Sequence, residues 1–339
     1  MQYVELGTSG LRASVLGFGC APVMGRAGRK QSLRALSAAY DAGVTFFDTA
    51  RSYGYGESES VLGEFLETKR DQVVLATKFG IVPIPQPRWK RALQPVVRTI
   101  LDVVPATRVL VGKHIKAQFK EAQTTKEVLH KSLDESLQKL RTGYIDILFI
   151  HSAPASVLAQ CDLLDSLERL IACGKIRVAG ISGDSDVIGA ALDKPRSPLG
   201  AMQFPINVFD MTLLRPIAAA RGYGFIFIAN QPFGGVGRVV DSRSFLRELA
   251  RSNAIAPELR QKLTSNGNNL LPEVVLNVVL QGTGIQVAVT SMMNVSHLQA
   301  NVKAISHCRF TTEELSWIRQ NLPPAMNAFT PAAVSSVVS

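Results

Sequence analysis

Three short apolar runs in the 339-residue chain each end in an ionisable residue. Val44-Thr45-Phe46-Phe47 runs into Asp48, Val73-Val74-Leu75-Ala76-Thr77 into Lys78, and Ile145-Asp146-Ile147-Leu148-Phe149-Ile150 into His151. Strands of a parallel sheet are buried on both faces and read as near-continuous hydrophobic stretches, so a charge at the exit marks where such a strand meets solvent. A carboxylate, an ammonium and an imidazole delivered in this way, with the phenol of Tyr53 five residues past Asp48, suggest a hydride-transfer site.

The elements that must position these groups alternate along the chain. Val4–Leu6 and Ala13–Val15, with Thr8-Ser9-Gly10 between them, read as an opening hairpin. Strands are expected at Val15–Gly19, up to Asp48, up to Lys78, up to His151, and at Val178–Ser182, Ala201–Phe204, Phe225–Ala229 and Gln286–Thr290. Between them lie helical patterns at Lys30–Ala42, Ser58–Leu66, Thr124–Leu140 and Leu158–Cys173, with closing helices at Ser296–Ile305 and Thr311–Leu322. Eight β/α repeats argue for an α/β fold closed into a (β/α)8 TIM barrel, in which strand C-termini converge on one mouth. The expected domain is residues 1–330 with a loose tail at 331–339.

Composition narrows the functional classes. The chain is 46% hydrophobic with a formal net charge of +10, enough apolar residues for one large core. Its aliphatic runs fall short of the ~20 apolar residues a membrane helix needs, and Met1-Gln2-Tyr3-Val4-Glu5 lacks the features of a secretory signal. Cys20, Cys161, Cys173 and Cys308 have no metal-site spacing and read as reduced thiols of a cytoplasmic protein; no metal is expected. Residues 81–123 hold eight Lys/Arg against two acids, which is more than half of the net charge. Trp89 and Phe119 are the only aromatic residues there, poor interleaving for nucleic-acid stacking. The segment is too long for an ordinary strand-to-helix loop and follows Lys78 at the mouth. Pro83, Pro85 and Pro87 stiffen its start, and Val96, Val97, Ile100, Leu101 and Val104 suit an amphipathic turn or helix. The charge itself reads as a solvated face; for the segment, a lid over the mouth is the preferred reading, and a structural flap elsewhere on the barrel rim or a partner surface the alternative.

The stretch Phe47-Asp48-Thr49-Ala50-Arg51-Ser52-Tyr53-Gly54-Tyr55-Gly56-Glu57-Ser58-Glu59 resembles the aldo/keto reductase family, with its Asp-Thr-Ala, its tyrosine five residues on, and its Gly-x-Gly-x-Ser-Glu. Ala76-Thr77-Lys78-Phe79-Gly80 and Tyr144-Ile145-Asp146-Ile147-Leu148-Phe149-Ile150-His151 extend the likeness, which covers roughly residues 4–322. The resemblance implies Asp48, Tyr53, Lys78 and His151 as catalytic residues. A free tyrosine, pKa near 10, is a reluctant acid at neutral pH, and a nearby cation lowers that value. Lys78 would supply the cation, Asp48 would hold the lysine, His151 would orient a substrate carbonyl, and Tyr53 would exchange the proton. Each residue alone has a plain structural reading (a cap, a snorkelling lysine, a rim histidine, a turn aromatic); four at matching places favour chemistry. Tyr55, seven residues past Asp48, is the weaker proton donor.

Gly17-Phe18-Gly19-Cys20-Ala21-Pro22 lacks the third glycine of a Rossmann fingerprint. The resemblance instead implies a dinucleotide lying across the barrel mouth, with Gly19 and Cys20 under the nicotinamide end and Ser182 and Gln203 as carboxamide binders. Gln231 and Phe233 would come from the loop after strand seven, Ser291 and Met292 from the segment after the last strand, and Asn301 would meet the adenine. Departures from the family pattern are Gly183 for asparagine, Asn230 for an aromatic, and Ala300 for glutamate. Ser291–His297 contains no Lys or Arg to grip a 2′-phosphate, so NAD and NADP both stay open. The expected function is an NAD(P)-dependent oxidoreductase acting on a small carbonyl or alcohol, similar to the sugar and aldose dehydrogenase branches, with an anionic substrate favoured if the basic segment folds over the site. The alternative is a nucleotide-binding regulatory subunit acting through a partner. The oligomeric state is left open.

Overall fold

A computed structural model describes residues 1–24, 27–81, 124–152, 154–194, 197–235, 238–252, 254–265 and 270–322. Apart from Ile81, the basic segment 81–123, and with it the expected lid, lies outside the described residues, as does the tail at 331–339.

Strands β1 (Tyr3–Leu6) and β2 (Leu11–Ser14) form the opening antiparallel hairpin. Eight further strands follow: β3 (Leu16–Gly19), β4 (Phe46–Asp48), β5 (Val74–Phe79), β6 (Ile145–His151), β7 (Ile176–Ser182), β8 (Leu199–Pro205), β9 (Ile226–Asn230) and β10 (Val287–Thr290). They pair in parallel in chain order, and β10 returns to β3, so the sheet closes into a barrel without edges.

The outer ring begins with α1 (Arg29–Asp41), α2 (Ser58–Leu66), α3 (Lys126–Leu140), α4 (Cys161–Ala172), α5 (Ser185–Leu192) and α6 (Leu214–Ala220). Three helices, α7 (Arg238–Arg251), α8 (Pro257–Thr264) and α9 (Leu270–Leu280), separate β9 from β10, and α10 (Val295–Ser306) and α11 (Thr312–Gln320) end the described fold. None is long and apolar enough to cross a membrane.

Local chemistry sets several boundaries. The helix expected from Thr124 starts at Lys126 because Thr125 caps it, accepting from the Val128 N–H. The helix expected from Leu158 is broken: a 3₁₀ turn covers Ala155–Ala159, and Gln160 is non-helical (φ −85°, ψ 82°) before α4 begins. Thr311 and Glu314 form a reciprocal capping box at α11.

Period-two alternation along the strands divides the core. Phe46, Val74, Ala76, Ile147, Phe149, Val178, Ala201, Ile226, Ile228, Val287 and Val289 fill the barrel interior, with Leu6, Leu11 and Ala13 of the hairpin packed against them. The intervening positions, such as Phe47, Leu75, Leu148 and Ile181, face the helices. That both sets are buried is why the strands read as unbroken apolar runs. Gly180 is required by this packing: a Cβ there would sit 2.7 Å from the Phe149 ring and 2.6 Å from the Ala201 carbonyl oxygen.

The N-terminal ends of the strands are tied by one buried carboxylate. Asp146, at the start of β6, accepts from the Leu75 N–H at 2.9 Å and pairs with Arg70 at 2.8 Å and with Arg177 at 3.0 Å. Both guanidiniums also lie against the Tyr144 ring, 3.9 and 4.6 Å from its centroid. Replacing Asp146 with Ala leaves Arg70, which still donates to Thr142 and the Tyr144 carbonyl, without its counter-charge and the Leu75 N–H without its acceptor. Removing one partner of a buried pair costs about 3–5 kcal/mol, and the low end applies because Arg177 is half exposed. At an unfolding entropy of about 2.1 cal/mol/K per residue, the expected fall in melting temperature is about 4 °C. An unchanged melting curve for Asp146→Ala would contradict this reading.

Candidate active site

The interior positions of the strands continue upward into the mouth. Asp48 follows Phe46, Lys78 follows Val74 and Ala76, His151 follows Ile147 and Phe149, Gln203 follows Ala201, and Asn230 follows Ile226 and Ile228, each at the strand period of two. Asp48, Lys78 and Gln203 are buried, at 4%, 2% and 1% exposure. The structure thus brings the four residues expected to do chemistry to one end of the barrel.

At the centre is a buried ion pair. The Lys78 ammonium donates to both Asp48 carboxylate oxygens, at 2.7 and 2.8 Å, and to the Thr49 carbonyl at 2.9 Å. Asp48 Oδ1 also accepts from Gln203 Nε2 at 2.9 Å, and Gln203 Oε1 accepts from Ser182 Oγ at 2.9 Å. This chain supplies the extra hydrogen bonds a desolvated ion pair needs. Burial alone would depress the Lys78 pKa; the Asp48 charge and hydrogen bond, with a smaller contribution from Tyr53, outweigh it and raise the value. Lys78 therefore carries its charge at neutral pH.

Tyr53 sits beside that charge, its ring centroid 4.9 Å from Lys78 Nζ. It begins a 3₁₀ turn, Tyr53–Gly56, in which Gly54 and Tyr55 adopt left-handed conformations (φ 57° and 58°). A Cβ on Gly54 would lie 2.2 Å from the Val23 carbonyl oxygen, so only glycine fits. The loop is held from below. Buried Arg51 donates to Ser132 Oγ at 2.6 Å and pairs with Glu135 on α3, and Lys139 Nζ donates to the Gly56 carbonyl at 2.9 Å.

The phenol does not behave as the residue types suggest. A nearby cation lowers a tyrosine pKa, yet Tyr53 lies above its ordinary value of 10.0. Burial is the largest influence; the Lys78 charge opposes it, and the Asp48 charge partly cancels Lys78. Tyr53 consequently keeps its proton at neutral pH while an ammonium stands ready to stabilise the anion.

His151 meets the Tyr53 ring edge-on, with centroids 6.0 Å apart at 84°. Burial first, then repulsion from Lys78, depress its pKa from 6.5 to about 3, so the imidazole is neutral. Its buried Nδ1 has no hydrogen-bond partner among the described residues. A neutral imidazole next to a protonated phenol can hydrogen-bond and protonate an oxygen placed between them.

A cleft of about 500 Å³ leads away from this centre, within the usual size of small-molecule sites, about 300–1,000 Å³. Of the residues expected to hold a dinucleotide, Gly19, Asp48, Gln203, Gln231, Phe233, Ser291 and Asn301 line it. Ser182 stands behind Gln203. Cys20 and Met292 are fully buried in the layer between barrel and helices and do not line the cleft. Burial and the Asp48 charge also keep the Cys20 thiol protonated. Asn301 Nδ2 donates to Thr290 Oγ1 at 3.3 Å. Asn230 lines the cleft with its Oδ1 buried and, among the described residues, unpaired.

Sequence patterns did not single out Val239 and Arg243 of α7 or Leu271 and Pro272 of α9, which complete the far end. No motif marks them, and only the tertiary fold brings these helices to the mouth. The hydrogen bond from Gln203 to Asp48, across 155 residues, was equally invisible. Strand parity was the one available signal, since it faces Gln203 inward.

Residues 15–322 match the family model described as the aldo/keto reductase family. The chain is 29% identical to the aldo-keto reductase YhdN of Bacillus subtilis (strain 168) over 62% of its length, a match spanning about half (55%) of that relative. It is 26% identical to L-galactose dehydrogenase of Arabidopsis thaliana over 97% of both chains. A holo-form aldo-keto reductase from Bacillus halodurans shares the fold, with a TM-score of 0.67 at 22% identity covering 96% of this chain and 97% of that one.

The electrostatics predict that His151, among the five histidines, stays neutral from pH 8 down to about pH 4. Long-range ¹H–¹⁵N spectra should show neutral ring nitrogens for His151 throughout that range. A His151 midpoint near 6.5 would contradict the described burial.

Proposed function

The chain belongs to the aldo/keto reductase family, and from that premise we propose that it is an NAD(P)-dependent oxidoreductase that moves hydride between a nicotinamide and a small carbonyl or alcohol, with Tyr53 as proton donor and acceptor. The observation that carries this reading is the protonated Tyr53 phenol held 4.9 Å, ring centroid to Nζ, from an ammonium that Asp48 keeps charged.

The donor set at the mouth fits a nicotinamide dinucleotide. Asn230 Oδ1 is a buried acceptor without a partner among the described residues, and Gln203, already bonded to Asp48 and Ser182, retains one amide N–H for a ligand. A carboxamide presents the complementary donor and acceptor. Gln231 and Phe233 would hold the middle of the molecule and Asn301 the adenine end, along the same cleft. When bound, the nicotinamide supplies hydride to the carbonyl carbon or removes it from the alcohol.

In the reductive direction Tyr53 gives its proton to the carbonyl oxygen as charge builds there. The phenolate left behind is stabilised by Lys78, whose ammonium cannot neutralise itself by losing a proton because Asp48, braced by Gln203, holds it. His151, neutral, orients the carbonyl oxygen by donating a hydrogen bond and adds no positive charge that would repel Lys78. Thr49 and Arg51 fix the loop that carries Tyr53. In the oxidative direction the same residues run in reverse. The match to L-galactose dehydrogenase over nearly the full length supports a sugar-like alcohol or lactol among the substrates.

Tyr53→Phe should lower kcat by about 10²-fold or more, the usual contribution of a positioned general acid, while the dissociation constant for the nucleotide changes less than about threefold. Lys78→Met should do the same. The measurement is nucleotide oxidation with a panel of aldehydes and sugars beside equilibrium titration with NADH and NADPH. Retention of more than about a tenth of wild-type kcat by Tyr53→Phe would remove Tyr53 from the proton-donor role. Tight nucleotide binding by wild type without turnover on any carbonyl or alcohol would favour a regulatory subunit instead.

A further inference from the structure

Helix α3 packs on the barrel through Leu129, Leu133, Leu137 and Leu140, yet Ser132 and Ser136 are buried as deeply, at 1% exposure each. With the partly buried Glu135 and Lys139 they form a polar stripe at i, i+3, i+4 and i+7, one face of the helix. Polar groups taken out of water on a packed helix cost stability unless they are bonded. The partners of this stripe therefore say what it is for.

Those partners lie in the loop between β4 and α2 and in the first turn of α2. Ser132 Oγ accepts from Arg51 Nη1 at 2.6 Å, and Glu135 pairs with Arg51 Nη2. Lys139 Nζ donates to the Gly56 carbonyl at 2.9 Å. Ser136 is turned toward the Glu59 carboxyl, which accepts from Thr77 of β5 at 2.8 Å. The two ties on the loop straddle Tyr53: Arg51 lies two residues before it and Gly56 three after. Between them Tyr55 holds a left-handed conformation, which a side-chain-bearing residue keeps only where its surroundings impose it. Helix α3 is itself seated closely, since a Cβ on Gly63 of α2 would lie 2.3 Å from the Lys139 carbonyl oxygen. A guanidinium with both arms on one helix is a fixed fork, so Arg51 transmits the position of α3 to the loop.

Resting on the proton-donor reading of Tyr53 above, we propose that Ser132, Glu135 and Lys139 of α3 are positioning residues for hydride transfer, holding the Tyr53 phenol beside Lys78 and His151 through Arg51 and the Gly56 carbonyl. None of the three lines the cleft. They act on the rate and not on nucleotide affinity, because a reacting group misplaced by about 1 Å costs on the order of 10²-fold.

The test compares Glu135→Ala, Glu135→Gln and Lys139→Met with wild type, each also in a Tyr53→Phe background. The readouts are kcat on a carbonyl panel, the nucleotide dissociation constant, the thermal midpoint, and the Tyr53 ¹³Cζ resonance of the unliganded full chain. That resonance is assigned among the six tyrosines by its absence in Tyr53→Phe. Glu135→Ala should lower kcat by about tenfold or more and shift the Tyr53 resonance. Its nucleotide dissociation constant should stay within about threefold of wild type. Glu135→Gln, which keeps an acceptor without the charge, should fall between Glu135→Ala and wild type, and Lys139→Met should repeat the loss from the other side of the loop. In the Tyr53→Phe background the same changes should alter the residual kcat by less than about twofold, because the stripe works through the phenol. Wild-type kcat in Glu135→Ala, an unmoved Tyr53 resonance, or equal fold losses in both backgrounds would overturn the proposal. A lowered thermal midpoint with kcat unchanged would also overturn it and leave the stripe a purely structural contact. If Glu135→Ala does not fold, Glu135→Gln and Lys139→Met decide by the same outcomes. Full kcat in Tyr53→Phe would instead overturn the proton-donor reading itself.

Discussion

A lysine buried to 2% exposure is the constraint around which the mouth of this barrel is organised. Left alone, burial would lower the Lys78 pKa and favour the neutral amine over the ammonium. Asp48 prevents that with two short hydrogen bonds, but a buried carboxylate carries its own desolvation penalty. Gln203 and the Thr49 carbonyl complete the coordination of the pair, and Ser182 orients Gln203. Four strands of the barrel thus contribute to holding one positive charge, and a fifth, β6, contributes the imidazole that must stay neutral beside it. The geometry depends on closure, since only a closed sheet brings Asp48 and Gln203, 155 residues apart, within hydrogen-bond reach.

The same charge gives the surrounding groups their protonation states. It depresses His151 further than burial alone and opposes the rise in the Tyr53 pKa. In the proton-donor role proposed for it, Tyr53 would have to hold its proton before reaction and release it during reaction. Burial secures the first and Lys78 assists the second. The left-handed turn at Gly54 and Tyr55 is part of this arrangement: it lets the chain double back at the rim so that Tyr53 overlies Lys78, at a backbone conformation Gly54 adopts without penalty and Tyr55 does not.

Much of this was legible in the chain. The apolar runs ending at Asp48, Lys78 and His151 announced strand exits, and the parity of Phe46, Ala76 and Phe149 inside the barrel explains why those three residues point inward. The eight strands were readable as short apolar runs because both of their faces are buried, and most helices because their burial is periodic. The break before α4 was not, since Leu158 through Cys173 keeps helical spacing across a residue, Gln160, that is not helical. The direction of the Tyr53 shift also escaped, because residue types show the neighbouring charge but not the amount of water excluded. Arg243 was hidden for a different reason: it belongs to a helix whose approach to the cleft is set by packing of α7, α8, α9 and α11 around Val274, Val275 and Leu315, a contact pattern with no local signature.

The most direct test is a titration of the Lys78 side chain by ¹³C-lysine NMR in wild type and in Asp48→Asn. With Asp48 present, Lys78 should remain an ammonium from about pH 6 to pH 10, at or above the ordinary lysine value. In Asp48→Asn the uncompensated burial should release the proton at markedly lower pH. Identical titration of Lys78 in the two proteins would contradict the central role given to the carboxylate.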